Sequence, residues 1–211
     1  MEENYKGYQI KIDADTDPES PREWETFGTM VCFHNRYSLG DKTDYRSDDF
    51  SGWEELEKQI EKDHKPIIIL PLYLYDHGGI TISAGPFSCR WDSGQVGFIF
   101  VSGEKVKQNW NVKRLSKKLK EKAEKLLLSE VKTYDDYLRG NVYNFSVDDK
   151  EGNFVDSCCG FFGDPEESGL LEEAKNAVDW DIKRKCEARQ KKLKAFIQQK
   201  VGLSHRQLIT V

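Results

Sequence analysis

Apolar positions in this chain of 211 residues fall into two periods. A period of two marks a half-buried strand in "YKGYQIKID", where Tyr8, Ile10 and Ile12 alternate with Gln9, Lys11 and Asp13. "GTMVCFH", Gly28 to His34, predicts a second strand. "KPIIILPLYLYDHGG" predicts a third, which Pro71 places at an edge or a bulge because proline lacks a ladder donor. "ITIS" and "QVGFIFVS" complete a central sheet. "NVYNFSVDD" and "NFVDSCCGFFG" predict a hairpin turning at Lys150 to Gly152.

The second period is helical. Ser51 is placed to cap a short helix, "GWEELEKQIEKDH", with Trp53, Leu56 and Ile60 inward. From Leu115 to about Leu138, apolar residues recur on one face, and Gly140 stands where a helix would stop. A final helix is predicted from about Glu166 toward Lys200, with Leu171, Ala174, Val178, Ile182, Cys186, Leu193, Phe196 and Ile197 on one stripe. It is long for a globular helix, so its end is expected to project or to pair with another protein, a homodimer through this helix included. The segments Asp13 to Glu25, which holds Pro18 and Pro21, and Asn35 to Asp49 are polar, turn-rich loops.

Strands in succession followed by helices, without βαβ alternation, predict an α+β fold. The expected form is one antiparallel sheet covered by helices on one face. Residues 1–165 would make the core domain, and 166–211 a long C-terminal helix and tail packed on it.

Composition narrows the class. Apolar residues make up 37%, charged residues 33% and aromatic residues 12%. The aromatic share supplies core area in an otherwise polar, ordered chain. No run of about 18 apolar residues exists, so no transmembrane helix is expected. The start "MEENYKGYQI" lacks the basic-then-apolar order of a signal peptide. Five cysteines (Cys32, Cys89, Cys158, Cys159, Cys186) are an odd number, which fits reduced thiols in a cytoplasm. The adjacent Cys158 and Cys159 are expected on opposite faces of a strand, one of them in the core.

Net charge is −5, unevenly spread. The N-terminal third is acidic, including Asp41, Asp44, Asp48 and Asp49. Lys105 to Lys125 and Lys183 to Lys200 are basic. Lysine rows can neutralise phosphates, but the final helix has no aromatic residues interleaved with its lysines for base stacking, so direct nucleic-acid binding is the weaker reading.

Motifs for phosphate-binding loops, dinucleotide folds, zinc proteases and serine hydrolases are absent. Three polar clusters stand at expected strand ends instead: "CFHNRY" (Cys32 to Tyr37), "YDHGG" (Tyr75 to Gly79) and "CRWDSG" (Cys89 to Gly94). If the ends meet, His34, Arg36, Asp76, His77, Arg90, Asp92 and Ser93 share a cleft, to which Asp156 and Ser157 could add. Acid/base chemistry would use His77, oriented by Asp92 or Asp156, with Arg90 holding an anion. His34, His77 and a carboxylate could hold a metal, and Cys89 or Cys158 could serve as a nucleophile beside His77. A binding role would use Arg36, Asp41, Asp44, Tyr75, Arg90, Trp91, Asp92 and Ser93, with Trp91 stacking and Arg90 on phosphate if the ligand is nucleotide-like. The plainer alternative makes these clusters hairpin and Asx turns. No cofactor is specified.

"DPESPREWETFGTMVCFHNRYSLGDK", "LPLYLYDHGGITISAGPFSCRWDSGQVGFIFVS" and "DSCCGFFG" resemble segments of a family of uncharacterised proteins carried by bacterial phages, plasmids and other mobile elements. The resemblance covers most of Asp17 to Gly163 and leaves the C-terminal helix outside. It implies an accessory protein of a bacterial cytoplasm, and no catalytic residue comes with it. The function expected on this basis is antagonism of a host defence component, such as a CRISPR nuclease, by stoichiometric binding through the loops Asp13 to Glu25 and Asn35 to Asp49 with the Cys89 to Ser93 turn. The alternatives are a small hydrolase or nuclease using His34, His77 and Asp92, and a sponge for a nucleotide-like signal.

Overall fold

A computed structural model describes residues 1–200 and shows an α+β protein with two antiparallel sheets and four helices. The single core expected over residues 1–165 is not how the chain divides. Met1–Ala14 and residues 143–200 form one compact unit, and Asp15–Val142 form a second, inserted between two strands of the first. The insertion leaves and returns at neighbouring points: Ala14 pairs with Tyr143, and the Asp15 N–H donates to the Val142 carbonyl at 2.8 Å.

The first unit carries strands β1 (Glu2–Tyr5), β2 (Tyr8–Ala14), β7 (Val142–Asp148) and β8 (Phe154–Phe162), in that order across the sheet, with helix α4 (Leu170–Lys200). Strand β1 carries little apolar signal in the sequence. It forms because Lys6 and Gly7 both take positive φ, 51° and 84°, the conformation a two-residue hairpin turn requires. Tyr8, Ile10, Ile12, Phe145 and Val147 pack against Leu170, Ala174 and Val178 of α4. Strand β8 is an edge strand, and both Cys158 and Cys159 are exposed there, so the expected core thiol of that pair is not found.

The second unit carries β3 (Thr29–Cys32), α1 (Trp53–His64), β4 (Pro66–Asp76), β5 (Ile80–Ser83), β6 (Ser93–Ser102), α2 (Gly103–Asn109) and α3 (Lys117–Leu138). Its sheet order is β3-β6-β4-β5. Helices cover this sheet on both faces, not on one as expected. Phe98 and Phe100 meet Leu56 and Ile60 of α1, whereas Met30, Leu72, Ile99 and Val101 meet Ala123, Leu127 and Val131 of α3. Central β6 is therefore buried continuously from Val96 to Val101. Pro71 pairs with Phe98, and β5 accompanies β4 only from Tyr73 onward, so the proline occupies a stretch of β4 with one neighbour. Ser51 does not cap α1: Gly52 is the capping residue, and the Ser51 hydroxyl donates to Glu55 at 2.7 Å. Ser102 and Ser116 do cap, accepting from Lys105 N and Leu119 N at the starts of α2 and α3. Among the described residues, no helix is long and apolar enough to cross a membrane.

Candidate functional site

The three polar clusters converge because of strand direction. In the β3-β6-β4 array the end of β3, the start of β6 and the end of β4 lie at one edge: Cys32 pairs with Gly97, and Tyr75 with Ser93. The register shifts there, with Leu72 opposite Gly97 but Tyr73 opposite Gln95, so Val96 is an extra residue in β6. A bulge of this kind twists a strand and redirects the side chains beyond it.

Past the bulge, the turn residues bind one another. The Asp76 N–H donates to the Asp92 carbonyl at 2.8 Å. The Asp92 carboxylate stands 3.3 Å from His77 Nδ1 and accepts from Cys89 Sγ at 3.6 Å. The Ser93 hydroxyl donates to the Cys89 carbonyl. The Asp76 carboxylate takes the Tyr37 hydroxyl at 3.2 Å and the Arg36 guanidinium at 3.5 Å. His34 Nδ1 accepts from the backbone N–H groups of Arg36 and Tyr37, and its ring stacks on Tyr37 at 4.9 Å. Tyr75 lies between His77 and Phe87.

This geometry separates the candidate chemistries. A thiol nucleophile needs an imidazole to take its proton, with a carboxylate behind the imidazole. Here the carboxylate of Asp92 lies between Cys89 and His77, the wrong order for that relay. His34 uses its Nδ1 lone pair on its own loop. Among the described residues, no three His, Cys, Asp or Glu side chains are grouped as metal ligands. Asp156 and Ser157 belong to β8, in the other unit.

What projects from the turns is of a different type. Trp91 is 96% exposed, and Arg90 beside it is exposed with no partner among the described residues. The side chains of Arg36 and His77 are 75% and 71% exposed. Arg36 and Tyr37 also belong to a groove of about 1510 Å³ in the same unit, whose walls include Phe33, Tyr45 and Trp53. Phe33 stacks between Phe50 and Trp53 with ring centroids 6.4 and 6.3 Å away. Burial and the Asp63 carboxylate push the Tyr45 hydroxyl up to about 12, so it remains a donor there.

The groove is lined in part by a buried ion-pair network that the sequence pattern does not announce. The Arg22 side chain, 3% exposed, forks onto both oxygens of Asp41 at 2.8 and 2.7 Å and reaches Glu130 at 3.4 Å. Burial works against the charged guanidinium, but Asp41 and Glu130 together raise its pKa. Asp41 also accepts from Met30 N, Glu130 accepts from Phe27 N and Gly28 N, and the Tyr134 hydroxyl accepts from Gly40 N. Asp41, expected as a surface contact, is therefore an internal anchor, and only Asp44, Asp48 and Asp49 of that acidic group are exposed. Cys32 lies against this network, where burial first and the Asp41 charge second push its thiol up to about 12.

Comparison with protein families, curated proteins and solved structures yields no match.

Proposed function

We propose that this protein acts by stoichiometric binding of a partner protein, through the turn tip at Arg90 and Trp91 and the adjoining groove. The observation that carries this reading is the division of labour at the tip. The carboxylates of Asp76 and Asp92 and the hydroxyl of Ser93, which could do chemistry, are engaged in holding the turns. The groups left outward are the Trp91 indole and the Arg90 guanidinium, with the Arg36 and His77 side chains exposed beside the carboxylates they pair with. Tryptophan and arginine are the residue types that dominate protein-binding hot spots. The groove exceeds the roughly 300–1,000 Å³ typical of small-ligand pockets, which favours a polypeptide over a nucleotide-like signal.

With the resemblance to proteins of phages and plasmids, the partner class we propose is a host defence component in a bacterial cytoplasm, a CRISPR nuclease among them. The test is co-expression with a panel of such nucleases, scoring protection of a targeted plasmid and complex formation by size exclusion with light scattering. Arg90→Glu with Trp91→Ala should abolish protection and the complex against the susceptible nuclease, while Cys89→Ser and His34→Gln leave both intact. Full protection by the Arg90/Trp91 variant would overturn the proposal. Loss of protection in His34→Gln, with complex formation retained, would point to the hydrolase reading instead.

A further inference from the structure

Past Asp181, α4 leaves the core of its own unit. Its buried positions are Leu170, Ala174, Val178 and Asp181, and none follows. Asp181 closes the packed part. It is fully buried, accepts from the Tyr8 hydroxyl at 3.0 Å, and binds Arg184 and Lys185 at 2.6 and 2.8 Å. Ile182 to Lys200 then continue as about 28 Å of helix at the usual rise per residue.

The unpacked stretch has a seam. Ile182, Cys186, Leu193 and Phe196 recur at alternating intervals of four and three, with Arg189 at the remaining position. Leu193 and Phe196, three residues apart on one face, are each 58% exposed. In this stretch stand eight lysines and arginines, Arg189 of the seam among them, against one acid, Glu187. Only Arg184 and Lys185 of the eight turn back to ion pairs in the unit.

Charge and pattern together select the occupant. A second copy of α4 would set two strongly basic helices side by side, in parallel or antiparallel order, and like charges flanking a seam oppose pairing. A membrane surface needs a broad apolar face, and this one is a narrow stripe broken by Arg189. Nucleic acid would use the lysines but has no need of the seam. We infer that residues 182–200 of α4 dock an acidic, heptad-patterned helix of a partner protein, its apolar residues covering Leu193 and Phe196 and its carboxylates facing the flanking lysines. This surface lies in a different unit from the turn tip and is independent of the function proposed above.

The experiment titrates the full chain with a synthetic acidic peptide. The peptide has leucine and isoleucine in the two seam positions of each heptad and glutamate flanking them, and binding is read by calorimetry and circular dichroism. The expected result is one-to-one micromolar binding with a gain in helix signal, weakened by salt. Leu193→Asp with Phe196→Asp should reduce affinity by about tenfold or more. Both residues are exposed, so the variant is expected to fold, and an unchanged melting curve confirms it. Absence of binding would overturn the inference, as would equal binding of a peptide with the same residues in scrambled order. So would tighter association with anionic vesicles or duplex DNA than with the peptide. Sedimentation of the wild-type chain as a dimer that the double variant dissociates would assign the seam to self-association instead.

Discussion

Replacing Arg22 by alanine should destabilise the Asp15–Val142 unit more than any exposed charge substitution in the chain. The Arg22 side chain is 3% exposed, and those of its partners Asp41 and Glu130 are each 18% exposed. Truncation leaves two carboxylates close together, each still holding backbone N–H groups of the Phe27–Met30 segment but without the cation between them. Breaking a buried pair by removing one partner costs about 3–5 kcal/mol, mostly because the remaining charge is uncompensated. For a unit of this size, that corresponds to a fall in melting temperature on the order of 10 °C. Arg22→Lys keeps the charge but not the two-pronged contact on Asp41, so it should recover only part of the loss. The assay is urea unfolding followed by tryptophan fluorescence, because Trp24, Trp53, Trp91 and Trp110 lie in this unit and Trp180 in the other. A shift below about 1 kcal/mol, the scale of an exposed ion pair, would refute the network's structural role. Full rescue by lysine would show that charge alone suffices.

Three further outcomes are expected. Gly97→Ala would drive its Cβ into the Val31 carbonyl and to 2.9 Å from Cys32 Cα across the β3–β6 pair, so a loss of about 3 kcal/mol or failure to fold is expected in the same urea assay. Asp149, held mainly by Lys185 and then by the Asn153 N–H, titrates below its ordinary range. So does Asp181, where burial opposes but Lys185, Arg184 and Tyr8 prevail. The folded first unit thus binds fewer protons than its unfolded chain, so its stability is complete above about pH 4 and declines as pH falls further. Asp149→Asn should flatten that decline in helix signal against pH, and an unchanged slope would count against it. In a native thiol titration, exposed Cys158, Cys159 and Cys186 should react promptly, whereas Cys32, with its thiol pushed up to about 12, should react only after denaturation.

Local period and local chemistry determined most of the secondary structure here. Helix α3 appears where Leu119, Ala123, Leu127 and Val131 repeat on one face, and the β7–β8 hairpin turns at Asp149 to Asn153, because those signals involve residues a few positions apart. The three polar clusters were also legible as strand ends, and the antiparallel order of β3, β6 and β4 brings them together. What each polar group does there was not legible. Asp41 looks in sequence like Asp44 and Asp48, yet among the described residues only Asp41 of the three meets a guanidinium, because Arg22 and Glu130 arrive from distant positions in the chain. Likewise, Cys89 and His77 suggest a thiol relay until the fold sets Asp92 between them, whereas the His77–Asp92 pairing is met. The division into two units was hidden for the same reason: Ile12 and Phe145 are register partners separated by the whole inserted unit, and nothing local announces their pairing. The sequence determined which segments carry apolar faces. Only tertiary structure decided which charges neutralise one another, and which tryptophan, arginine and lysine side chains stay exposed.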